Sequence, residues 1–481
     1  LKPDLRILNK EELDAIHTSA LYLLRNVGVN IEDEEIRKLL ANNGCDLGSN
    51  NIVYFPEWLV KDCLNSTPKE VTICGRDPKR DLTIGRQRYP YIIPHVLNVN
   101  YYDAANQNYL TTTKENVQDF VKICDYLDTI DGVWIVTMLP QFKEMYMFHD
   151  FEMGLRSTTK PVCITTLETQ SVDPTYELAT AIAGGKDELK KRPLMTICLC
   201  AVSPLSWTKQ GCDTLKAVAR WGIQPALATE APMGDTGPVT FAGNIAQKMA
   251  EYLSGDVILQ LLNKGMAVLW VNVHESFDQR TGMVNLSSRG DFVQACAMGQ
   301  IEKHIGVPIL SPVSPDSHML DMQEAYELGF TLLPQMLGGS RAIVVHGLDT
   351  TRAFNNELLL LLDDMITSAR RLLDGIDVTP DTLATDVIKN VCSKIEKGRR
   401  VGHFLDQRHT LAWYEKEQRP RKDFVFEKHS REKWMELGGK TFIQRANERV
   451  KEILRTHKPE PLPKEIEAKI AEIRKKYKIG E

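Results

Sequence analysis

Seven short runs in this chain are apolar from end to end and recur with helical patterns between them: GVWIVTM, KPVCITTLE, LMTICLCAVSP, QPALATEA, MAVLWVNVHE, VPILSPVS and RAIVVHGLD. A strand that is apolar on both faces must be covered on both, and only helices packed against a parallel sheet do that routinely. The intervening segments carry the matching periodicity, as at Ile245, Met249, Leu253 and Val257. One further strand is expected from the irregular stretch 92–112, part of the segment YPYIIPHVLNVNYYDAANQNYL whose two prolines limit central pairing. Eight strands favour a closed (β/α)8 TIM-type barrel over an open doubly wound sheet. No GxGxxG or GxxxxGK(S/T) loop follows any run, so dinucleotide and P-loop readings lack support.

Around that barrel, assigned to residues 89–375, two further regions are expected. Residues 1–88 suit an N-terminal α+β accessory layer: Asn9 to Glu12 can cap a first helix, Glu32–Asn43 forms a second, and NIVYFP, VTICG and DLTIG are turn-flanked strands. Residues 376–481 suit a C-terminal helical extension, with helices over 379–397 and 430–455 following a long helix at Asn355–Asp374. Gly184-Gly185 and Gly338-Gly339 are expected as helix C-caps or turns. The charged tail carries isoleucines at 466, 470 and 473, which fits a solvated terminal helix or, alternatively, a subunit or partner contact.

Charge excludes some functions. With 59 basic and 64 acidic residues, a net charge of −5 provides no footprint for nucleic acid or an anionic membrane. Ten cysteines include no CxxC pair, and Cys198 and Cys200 fall on one face of a strand, so reduced structural thiols are expected. No apolar run approaches the roughly 18 to 20 residues that span a bilayer, and no signal-peptide pattern opens the chain, so a soluble cytoplasmic protein is expected.

In a barrel the chemistry sits at the carboxyl ends of the strands. Those ends carry Thr165, Thr166 and Glu168; Ser203 and Trp207; Glu230; Asn272, His274 and Glu275; Ser311 and Ser314; and His346, Asp349, Arg352 and Phe354. Without an HxH or HExxH pair, no metal site is expected. A lyase or aldolase would need a strand-end lysine for a Schiff base. Lys160 precedes its strand and Lys264 sits in a helix-to-strand turn.

The stretch GDTGPVTFAGNIAQKMAEYLSGDVILQLLNKGMAVLW, then FDQRTGMVNLSSRGDFVQACAMGQIEKHIGVPI, then SPDSHMLDMQEAYELGFTLLPQMLGGSRAIVVHGLD, resembles the trimethylamine methyltransferase family, with similarity running to about residue 455. The resemblance implies a (β/α)8 barrel that transfers a methyl group from a methylated amine to the cobalt of a separate corrinoid protein. It also implies homo-oligomers, with cob(I)alamin supplied by the partner docking at the barrel mouth. This chain shows no DxHxxG cobalamin signature of its own. Founding members use pyrrolysine near a segment like SPVSPDSHMLD, residues 311–321, whereas every residue here is standard. That points to the non-pyrrolysine branch and to quaternary amines. Glycine betaine, giving dimethylglycine, is the first expectation; proline betaine and carnitine are alternatives, as is a catalytically silent amine-binding protein.

Displacement by Co(I) needs a leaving group that departs neutral, and a quaternary nitrogen already meets that condition, leaving the protein to bind, desolvate and align. A trimethylammonium head has no N–H to donate, so aromatic faces, each worth about 0.5 to 2 kcal/mol, and carboxylates are its natural partners. Tyr101, Tyr102, Trp270 and Phe354 are the cage candidates, although Trp270 and Phe354 suit barrel packing equally. Adjacent Tyr101 and Tyr102 point to opposite faces of a strand, so one of them reaches the pocket. Glu230 is the expected counter-charge and, with His346, a catalytic candidate. His346 and Arg352 would clamp a substrate carboxylate, with His274 a further substrate-binding candidate.

Overall fold

The computed structural model describes residues 5–85, 87–98, 100–418 and 425–480. Eight parallel strands close into a barrel: β1 (Tyr91–Asn98), β2 (Val133–Thr137), β3 (Val162–Thr165), β4 (Thr196–Cys200), β5 (Gln224–Glu230), β6 (Leu269–Val273), β7 (Ile309–Val313) and β8 (Ala342–Val345). The eighth strand is β1, from the irregular stretch, and it closes the ring between β8 and β2. Strand alternation splits the apolar residues into two clusters. Ile93, Cys198, Ala226, Ala228, Val271 and Val344 pack along the axis, while Ile164, Leu227, Trp270 and Ile343 face outward to the helices.

Each strand is followed by a main helix: α1 (Lys114–Tyr126), α2 (Tyr146–Ser157), α3 (Val172–Ala183), α4 (Lys209–Trp221), α5 (Phe241–Leu262), α6 (Arg289–Ile305), α7 (Met322–Gly338) and α8 (Glu357–Asp374), with a short extra helix at Lys186–Lys191 after α3. Helix α5 is buried nearly all round, because the N-terminal layer lies over it. That layer contributes the helices Lys10–Asn26, started by a capping box at Asn9, and Glu57–Ser66. Its strand Val29–Ile31 pairs with Ser206–Trp207 from the β4–α4 loop, so the layer is stitched to the barrel. The hairpin Val71–Ile73 with Leu82–Ile84 packs into the axial cluster. Lys160 is buried, and its ammonium donates to the carbonyls of Cys124, Leu127 and Ile130 at 2.6 to 2.7 Å, closing the C-terminus of α1.

The C-terminal region differs from expectation in three places. The segment 379–397 is split, because Ala384 turns left-handed between two short helices and a hairpin, Ile395–Glu396 with Arg399–Arg400, follows. The segment 430–455 breaks at Gly438-Gly439, both at positive φ, into Arg431–Glu436 and Phe442–Thr456. The terminal helix Lys464–Tyr477 is docked rather than solvated: Ile470 and Ile473 are buried, and Arg474 bonds Glu152 of α2 at 2.6 Å. Gly184 and Gly339 do cap α3 and α7. All ten cysteines are free thiols.

Helices α6 and α7 touch where Gly299 faces Gly338, and a Cβ on Gly299 would lie 2.3 Å from the Gly338 carbonyl oxygen. Gly299→Ala is expected to cost about 1 to 3 kcal/mol of stability in urea unfolding, the range typical of overpacking. Gly480→Ala, where a Cβ meets nothing within 4 Å, should leave the midpoint unchanged.

Candidate active site

The inward positions at the carboxyl ends of the strands enclose a cavity of about 300 Å³. Trp134 of β2, Thr165 of β3, Cys200 of β4, Glu230 of β5, Glu275 beyond β6 and His346 beyond β8 all line it. Their convergence follows from register: each lies an even number of residues from an axial side chain of its own strand, as Glu230 does from Ala228 and Ala226. The Trp134 indole N–H donates to Thr165 Oγ1 at 3.0 Å, which fixes the ring. Its ring stands 5.4 Å from His95, which in turn stands 4.5 Å from His346.

Burial sets the charge states here. It pushes His346 down to about 3 and His95 well below the usual histidine range, so both imidazoles are neutral at pH 7. The His346 Nδ1 is 2.5 Å from the Ser314 hydroxyl. Burial also raises Glu230, against which the Cys200 thiol donates at 3.7 Å. Glu275 is only 8% exposed, its Oε1 has no hydrogen-bond partner, and burial pushes it up to about 8 against the opposing pull of Lys248. Lys248, wholly buried on α5, donates to the Val273 carbonyl and so holds the end of β6. Asp291, pushed up to about 6 by burial, accepts the Ser288 N–H at the start of α6. The result is a small, largely apolar chamber with one indole face and two carboxyl groups, suited to an organic cation. Among the described residues no group of three His, Cys, Asp or Glu is arranged to hold a metal ion.

The profile of the family described as Trimethylamine methyltransferase (MTTB) matches residues 2–480. The chain belongs to the trimethylamine methyltransferase family. It is 29% identical over 468 residues to the trimethylamine methyltransferase MttB of Desulfitobacterium hafniense, covering 96% of this chain and 92% of that one. It is 25% identical over 480 residues to a glycine betaine methyltransferase from another strain of that species, covering 98% and 96%. In fold it resembles the monomethylamine methyltransferase of Methanosarcina barkeri, with a TM-score of 0.55 at 11% identity over 99% of this chain and 89% of that one. The protein is a methyltransferase of this family.

Of the catalytic and substrate-binding candidates named from sequence, Glu230 and His346 come together in the cavity and the others stand elsewhere, while Thr165 and Glu275, named as strand ends, also line it. Trp270 faces outward, fully buried, its ring stacked 5.2 Å from Tyr252 of α5 and its N–H on Thr229 Oγ1. Phe354 is wedged between Tyr101 and Phe120, each at 5.3 Å, in a small sheet outside the barrel. Tyr102 is buried against Tyr109 in the same sheet. Neither tyrosine lines the chamber, so the aromatic face belongs to Trp134 instead. His274 is buried with both ring nitrogens unpartnered, one residue out of phase with cavity-lining Val273 and Glu275. Arg352 is half exposed and tied to Asp349, which also takes His318. Glu275 was findable, since counting back from it by twos puts Val273 and Val271 on the axis and Trp270 outside; Trp134 was not, because the polar end of β2, Thr137, lies in the outward phase.

The raised Glu275 has a consequence for stability. As pH rises past 4.5 the unfolded chain loses this proton while the folded chain keeps it up to about 8, so the group's contribution falls with rising pH across that interval. Glu275→Gln carries no such dependence. The variant is expected to melt higher than the parent, with a gap that widens from pH 5 to pH 8; a gap independent of pH would show Glu275 ionised in the folded protein.

Proposed function

We propose that this methyltransferase takes a methyl group from a quaternary amine and passes it to the Co(I) of a corrinoid carried by a partner protein at the barrel mouth. The observation that carries the reading is the pairing, in one small chamber, of the Trp134 indole face with the unpartnered carboxyl of Glu275. An N–H-free cation is the ligand that such a pair complements. The names of relatives that act on trimethylamine and on glycine betaine support the amine and the quaternary nitrogen respectively.

When bound at the mouth, the corrinoid supplies the nucleophile. The chain does the rest: the apolar wall excludes water, Trp134 and Glu275 seat the ammonium, whose charge favours the ionised form of the buried Glu275 carboxyl, and Glu230, at the end of β5, is a second carboxyl on the same cavity. In-line transfer leaves the nitrogen neutral, so the attraction that seats the substrate lapses for the product. No proton has to move, which accords with imidazoles held neutral at His346 and His95. On this reading His346 is a neutral wall and donor rather than a cation. Exposed Met138, Leu167, Val202, Val239, Met283 and Met319 all lie on the connections that follow barrel strands, and an apolar rim of this kind suits a protein partner covering the mouth.

The test follows the methylcobalamin spectrum in mixtures of the protein with cob(I)alamin, free or on a cognate corrinoid protein. Tetramethylammonium, glycine betaine, proline betaine, carnitine and trimethylamine are offered separately. Methylation with one or more quaternary amines and not with trimethylamine is expected. Methylation with trimethylamine alone would overturn the reading, and binding without transfer would make the chain an amine-binding protein. Trp134→Ala is expected to weaken quaternary-amine binding about two- to thirtyfold by titration calorimetry, the equivalent of one lost cation–π contact.

A further inference from the structure

Resting on the quaternary-amine reading, the charge of the chamber narrows the substrate class. We infer that the substrate is a small net cation whose fourth substituent carries no carboxylate, of the tetramethylammonium or choline type, rather than a zwitterionic betaine. The lining side chains able to carry charge are the carboxyls of Glu230 and Glu275, the thiols of Cys198 and Cys200, and the imidazoles of His95 and His346. None of the described lining residues is a lysine or arginine.

The cations nearby are committed elsewhere. The Lys248 ammonium bonds the Val273 carbonyl from the outer side of β6. Arg352, expected to clamp a carboxylate, holds Asp349 through Nη2 at 3.2 Å and donates to its backbone carbonyl. Arg280, on the hairpin after β6, holds Asp278 at 2.9 Å. A zwitterion entering this chamber would desolvate its own carboxylate with no lysine or arginine on the lining to receive it, while its ammonium draws Glu275 into the ionised form beside it.

Glu275 supplies the second, independent observation. Its side chain is more than nine-tenths buried, faces the cavity, and leaves Oε1 without any hydrogen-bond donor. On a cavity wall, an unpaired carboxyl oxygen of this kind is a place that a ligand can complete. A quaternary ammonium completes it by drawing the carboxyl into its ionised form, which an adjacent cation favours, and a choline hydroxyl can in addition donate to it. At about 300 Å³ the chamber sits at the small end of ligand pockets, which suits a compact ion.

The experiment titrates the full-length protein with tetramethylammonium chloride, choline chloride, glycine betaine and carnitine by calorimetry, and repeats the methylcobalamin assay with each. Tetramethylammonium or choline is expected to bind at least tenfold tighter than either zwitterion and to be the better methyl donor. Glu275→Gln is expected to lose at least tenfold of the affinity for the cation and to lessen the discrimination against glycine betaine. Glu275→Asp, which keeps the charge, should retain the preference, and it separates a charge effect from misfolding. Glycine betaine or carnitine binding as well as the cations would overturn this inference while leaving the quaternary-amine reading intact. Failure of all four to bind or donate, with trimethylamine active, would overturn both.

Discussion

A closed parallel barrel leaves each strand residue one of two destinations, the packed axis or the ring of helices, and that choice depends on nothing but even or odd position. Everything at the site depends on it. The axial side chains of β4, β5 and β6 start as small or branched apolar residues and end, in the same phase, in Cys200, Glu230 and Glu275. The opposite phase of β6 puts Trp270 against Tyr252 on α5. A shift of one residue in that strand would withdraw the carboxyl and bring the indole into the chamber.

The second constraint is electrostatic. Helix α5 is enclosed between the barrel and the N-terminal layer, yet it carries Lys248, Glu251 and Asp256 into that enclosure. Each is satisfied by a specific partner: Lys248 by the Val273 carbonyl, Glu251 by the Ser203 hydroxyl and the Leu205 N–H, and Asp256 by the Thr67 hydroxyl. These bonds tie α5 to the strand ends and loops at the mouth and to the N-terminal layer. Against that background, Glu275 is the described carboxyl that both lines the chamber and leaves an oxygen unpartnered. Ligand binding and the cost of burying an acid are thereby linked at one side chain.

The architecture was legible because seven doubly covered strands leave few alternatives, and β1 followed from closure. The site was legible in part. Glu230 and His346 ended their strand runs in polar positions, which reveals phase directly. The aromatic cage was not, since an apolar run covered on both faces does not reveal by composition which phase is axial. Trp134 and Trp270 look alike in sequence: the polar end Glu275 marks the axial phase of β6, whereas the polar end of β2, Thr137, lies in the outward phase on Asp150 of α2. Tyr101, Tyr102 and Phe354 were misplaced for another reason: they belong to a three-stranded sheet formed between the β1–α1 and β8–α8 connections, a long-range pairing with no local signal. The terminal helix likewise shows its docking only through partners on α2 and α3, far away in sequence.

The central claim is that the chamber beneath the strand ends seats a quaternary cation between Trp134 and Glu275. The most direct measurement is a crystal structure grown with tetramethylarsonium, whose arsenic marks its position by anomalous scattering. The account predicts a single strong peak inside the barrel, in contact with the Trp134 ring and within ion-pairing distance of the Glu275 carboxyl. An arsenic site elsewhere on the protein, with the chamber holding none, would contradict it.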